Sequence, residues 1–73
     1  GLDPESVHFI RGTIALMENK TEEAKTHLEL AAKSGIPMPG VLNNLAVAIA
    51  SQEGGDLEQA LTLANSALER LQH

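Results

Sequence analysis

Residues 56–71, DLEQALTLANSALERL, decide the fold. Leu57, Ala60, Leu61, Ala64, Ala67, Leu68 and Leu71 recur at intervals of three and four, the rhythm that sets side chains along one side of an α-helix. Glu58, Gln59, Asn65, Glu69 and Arg70 fill the opposite side. Asp56 and Gln59 have the spacing of a capping box, with Asp in place of the usual Ser or Thr, and Gly54-Gly55 breaks whatever precedes them. No strand-like alternation competes with this pattern, so an all-α chain is predicted.

Three more helices are predicted upstream. Asp3-Pro4 reads as an N-cap followed by proline at the first helical position, where its missing N–H costs nothing. Val7, Ile10, Ile14 and Met17 give that helix an apolar stripe, and Asn19 and Lys20 end it. Thr21 is then expected to cap a second helix, with Glu22 and Glu23 in its electropositive first turn, Lys33 near its end, and Gly35, Ile36 and Pro37 as its stop. Pro39 opens a third, whose buried stripe is Val41, Leu42, Leu45, Ala46 and Ile49. Connections this short join adjacent antiparallel helices.

Composition narrows the function classes. A chain of 73 residues holds one small domain with a thin core, and with no cysteine to staple it, apolar packing must hold the fold. Aromatic content is 1%, a single Phe9, which argues against surfaces that stack nucleobases or sugars. The formal net charge of −5 repels phosphate backbones, so nucleic acid is not an expected partner. The longest apolar run, Leu45 to Ala50, falls far short of the roughly 20 residues of a membrane span, and no membrane insertion is expected. The chain opens on Gly1, not methionine, and shows no signal-peptide pattern; the expectation is a processed or excised segment of a soluble, cytoplasmic protein, although no motif names a compartment.

His8, His27 and His73 include no pair at one-turn helical spacing and no completing cysteine or carboxylate cluster, so neither a metal nor any other cofactor is expected. Ser34-Gly35 and Gly54-Gly55 lack the glycine-rich run ending in Lys-Ser or Lys-Thr that wraps phosphates. Glu18, Glu22 and Glu23 are explained by solvation and helix-start charge, which leaves catalysis without a candidate residue.

A self-comparison organises the four helices. Thirty-four residues separate Gly12 from Ala46, and the same shift carries Val7 onto Val41 and Ala15 onto Ile49. The second helices align at 36: Glu22-Glu23-Ala24 falls on Glu58-Gln59-Ala60, Thr26 on Thr62 and Ala31 on Ala67. The two extra residues fit a second turn lengthened by Gly54-Gly55. Two similar hairpins therefore follow in series, about 4–36 and about 38–71, as a single domain over 1–73.

A helix–turn–helix period near 34, small residues at Gly12 and Ala46 where paired helices cross, and Ala24, Ala31, Ala60 and Ala67 opposite them make the chain resemble the tetratricopeptide repeat (TPR) family. Small side chains there let backbones approach, with Leu28, Leu45 and Leu68 filling the space beside them. The chain departs from the family pattern where His8 and Leu42 replace a large aromatic, Ala15 and Ile49 replace a common tyrosine, Arg11 replaces a leucine, and Pro37 comes one residue late. The resemblance implies a short right-handed α-solenoid whose first helices line a concave groove. That would put Ser6, Phe9, Ile10, Thr13 and Met17 on one wall, continued by Asn43, Asn44, Val47, Ala50 and Ser51.

Asn44 then matches a groove asparagine that bonds the backbone of an extended peptide, an amide being able to donate and accept towards one peptide unit; the alternative is a solvated polar residue. Phe9 reads either as a peptide anchor or as packing against a neighbouring repeat or a dimer mate. Leu63, off the main face of the fourth helix, reads as a cover for the core's end or as a contact with a further helix, and Leu71 joins it as a candidate stacking or dimer contact. The expected function is a protein-interaction module within a scaffold or adaptor, binding a peptide or helix of a partner protein. The alternative is an architectural or self-associating element, because solenoid units bury their faces on neighbours and about three are usually needed for stability.

Overall fold

The computed structural model describes residues 3–33 and 38–72, with the side chain of Gln72 left aside. Four helices follow in order: α1 (Pro4–Met17), α2 (Thr21–Ala32), α3 (Pro39–Ser51) and α4 (Leu57–Gln72). All regular structure among the described residues is helical. α1 packs along α2 and α3 along α4, and the two hairpins join where α2 lies on α3, with a lighter contact between α1 and α3.

The helix starts show why these segments fold as they do. Asp3 is extended and accepts from the Ser6 backbone N–H at 2.9 Å and from the Ser6 hydroxyl at 3.2 Å, and Pro4 is the first helical residue. The Ser6 N–H also holds the Asp3 carboxyl below its ordinary value of 3.8. Asp56 caps α4 in the same manner, accepting from Gln59 N–H at 3.0 Å. The Thr21 cap expected from sequence does not form. Lys20 takes the N-cap position without a side-chain bond, and Thr21 is the first residue of the helix. The cause is the tight first turn: Asn19 adopts a left-handed φ of 61°, and Lys20 N–H returns 2.8 Å to Ala15 O, so the chain re-enters helix one residue early. The stop expected at Gly35-Ile36-Pro37 lies outside the described residues; α2 is helical to Ala32, and Lys33 is its C-cap.

The core lies between the hairpins. Val41, Leu42, Leu45, Ala46 and Ile49 are buried as expected, and Ala48 joins them. Leu28, Ile49 and Val41 are the largest fully buried side chains, each worth about 1.5–3 kcal/mol relative to exposure. The small crossing residues Gly12, Ala24, Ala31, Ala46, Ala60 and Ala67 are all buried. A Cβ on Gly12 would meet Leu28 Cγ at 2.6 Å and Ala24 O at 3.3 Å, so glycine is what allows α1 and α2 to close. Gly54 has a φ of 74°, and a Cβ on Gly55 would run into Ile49 O, which makes the second turn dependent on both glycines.

Two expected stripes are rotated away from the core. Ile10, Ile14 and Met17 on α1 are exposed, while Gly12 and Ala15 bury, with Phe9 and Leu16 packed beside the cluster. On α4 four of the five leucines face out: Leu57, Leu61, Leu68 and Leu71 are 67, 62, 56 and 71% exposed. Ala60 and Ala67 bury instead, and Leu63 and Ala64 pack partly against the core. Leu68 therefore does not fill the space beside the crossing as expected. α4 meets α3 through an arc of alanines, which brings the helices close and leaves Leu57, Leu61, Leu68 and Leu71 outside the contact.

Candidate interaction surfaces

The first surface is built where α1 meets α3. Thr13 donates from Oγ1 to Phe9 O at 2.8 Å, the ordinary back-bond of a helical threonine, and accepts from Asn44 Nδ2 at 3.0 Å. Asn43 Nδ2 in turn donates to Asn44 Oδ1 at 3.3 Å. The part-buried Thr13–Asn44 bond ties the hairpins across 31 residues of sequence. Asn44 thus spends one amide hydrogen and one carbonyl lone pair inside the molecule, keeping one of each.

Around that bond the residues expected to line a groove separate into two groups. Ile10, Met17, Asn43, Val47, Ala50 and Ser51 are exposed, and Ile10, Met17 and Val47 lie within a turn of Thr13 or Asn44 along their helices. Ser6 and Phe9 are half-buried and already engaged. The Ser6 hydroxyl serves the Asp3 cap. Phe9 packs on the core, and its ring comes 3.2 Å from where a Cβ on Gly40 would stand, so it rests on the start of α3 in the neighbouring hairpin.

The second surface is the leucine row of α4. At its C-terminal end, Leu68 and Leu71 line a groove of about 400 Å³ with Ala64 and Ala67, closed on the other side by Pro39, Gly40 and Asn43 of α3. Leu71, singled out from sequence, is on this surface; Leu63 is packed against the core. Sequence reasoning missed that Leu57, Leu61 and Leu68 are free. The signal was present in Ala60 and Ala67: residues small enough for a helix crossing mark the side that touches α3, and the leucines stand off that side.

The structure also joins two histidines that the sequence left apart. His8 Nδ1 and His27 Nδ1 are 3.1 Å apart across α1 and α2, with rings at 25° and centroids 5.3 Å apart. One ring must carry its proton on Nδ1 and the other must accept there. Nearby, Arg11, Glu18, Lys20 and Glu23 surround a cleft of about 330 Å³ beside His27. Glu18 and Lys20 form an exposed 3.4 Å ion pair there, of the kind worth at most about 1 kcal/mol. Among the described residues no group of three or more His, Cys, Asp or Glu side chains is placed to hold a metal, and no helix is long and apolar enough to cross a membrane. At the joint between the hairpins, Gln52 Nε2 donates to Glu22 Oε2, tying the end of α3 to the start of α2.

Compared with known proteins, the chain matches no family model, no curated protein and no solved structure.

Proposed function

We propose that the chain is a protein-interaction module of the tetratricopeptide type, with no catalysis of its own, that receives a peptide or helix of a partner protein on the face formed by α1 and α3. The observation that carries this reading is the exposure of Ile10, Met17 and Val47 around a fixed polar centre, the Thr13–Asn44 bond. Apolar side chains around a pre-set polar pair offer both contact area and direction to an incoming backbone. The remaining hydrogen-bond capacity of Asn44 points to a backbone amide as its target, and the net charge of −5 favours a basic segment.

Titration of labelled protein with a panel of basic and neutral peptides tests it. Backbone shifts should gather on residues 10, 13, 17, 44 and 47, and Val47→Glu should abolish them without loss of helicity. Shifts confined to α4, or none across the panel, count against the α1–α3 face.

A second reading, an architectural or self-associating element, is favoured by Leu57, Leu61, Leu68 and Leu71. Four exposed leucines on a single helix of a small chain form a patch that solvent does not stabilise.

A further inference from the structure

Leu57, Leu61, Ala64, Leu68 and Leu71 follow one another at intervals of four, three, four and three, the a/d spacing of a coiled-coil seam. The leucines of that seam are all more than half exposed. The internal repeat shows what such a seam is not needed for. Hairpin one has Thr21 and Lys25 where hairpin two has Leu57 and Leu61, yet α2 is covered by α3 all the same, with Leu28 and Ala32 at the next two matching positions packed on the core. A further hairpin stacked like α3 would leave the first two leucines of α4 without purpose. The seam instead calls for a helix that runs along α4 with the same phase.

Resting on the self-association reading above, we infer that the occupant is α4 of a second copy, packed antiparallel across a two-fold axis. Antiparallel pairing sets Leu57 against Leu68 of the second copy and Leu61 against Ala64 of the second copy, with both contacts repeated by symmetry, so that large faces small in the central layers. Parallel pairing stacks Ala64 on Ala64 and leaves a hole. No charge lies in the seam, and the antiparallel register brings Glu58 beside Asn65 of the second copy instead of another carboxylate, so a copy meets no like-charge penalty there. In this register the two helices overlap over residues 57–68, with Leu71 beyond the paired layers, so the contact is at the small end of specific interfaces and a weak, concentration-dependent dimer is expected.

Sedimentation equilibrium of the 73-residue chain between about 5 and about 500 μM should show a reversible monomer–dimer transition. Leu61→Glu and Leu68→Glu should each weaken it at least tenfold, with helicity and melting of the dilute chain unchanged because both sites are exposed. For orientation, Leu57→Cys mixed with Leu68→Cys should give the mixed disulfide on mild oxidation. A chain that stays monomeric across the range, a dimer that both glutamates leave intact, or Leu57→Cys linking to itself in preference to Leu68→Cys overturns the inference. Val47→Glu should leave the dimer untouched, so failure of the peptide-binding face and failure of this one are read separately.

Discussion

Leu28 Cγ lies 2.6 Å from the point where a Cβ on Gly12 would stand. Leu28 is fully buried and the crowding atom is the branch point of its side chain, so it has nowhere to swing. Gly12→Leu should therefore cost at least the 1–3 kcal/mol typical of overpacking. Gly12→Ala should still lower stability, by about 1 kcal/mol, although alanine is the better helix former by a similar amount. Urea denaturation of Gly12→Ala, Leu28→Ala and the double variant would show the coupling: the double variant should be less destabilised than the sum of the singles.

The Thr13–Asn44 bond changes what Asn44→Ala should do. A groove residue facing only solvent would leave stability alone, but this amide holds α1 to α3, and its removal should cost about 0.5–1.5 kcal/mol. Thr13→Val should cost a similar amount, and the two should be non-additive in thermal melts. An unchanged melting temperature for Asn44→Ala would mean that the Thr13–Asn44 bond adds nothing net to the joint between the hairpins.

The Asp3 cap carries a pH signature. The Ser6 N–H holds its carboxyl below 3.8, so the native state binds this proton less readily than the unfolded chain does. The resulting stability is present above pH 3.8 and fades as the pH falls through the lowered value. Asp3→Asn keeps a side-chain acceptor but removes the titration. Chemical denaturation from pH 6 downwards should show a shallower acid slope in the variant than in the parent.

Leucines on α4 should divide sharply by position. Leu63→Ala opens space against the core and should cost at least about 1 kcal/mol, whereas Leu57→Ala at a 67% exposed site should stay within about 0.5 kcal/mol. Measured on dilute protein, equal costs would mean that α4 is rotated from the position described.

The fold was legible in the sequence to the extent that its signals were local. Prolines and acidic caps at Asp3-Pro4, Pro39 and Asp56 fixed three helix starts, and the shift of 34 to 36 residues identified the small crossing positions that the structure buries. Thr21 misled because capping depends on where the preceding turn releases the chain, and that was set by the left-handed Asn19. The α1 and α4 stripes misled for a different reason. Periodicity finds an apolar side but cannot say whether a partner exists to cover it, and on both helices the side that buries is the one small enough to cross. The Thr13–Asn44 and His8–His27 contacts join different helices, and no spacing rule announces them.

The leucine row of α4 and the exposed Ile10–Met17–Val47 face occupy different helices. A chain joined to its copy through the first would display the second twice on one rigid body. Such a body is bivalent: a target bearing two copies of a weakly bound segment would meet the second site at the millimolar effective concentration a short tether provides, and would dissociate far more slowly than from a single chain.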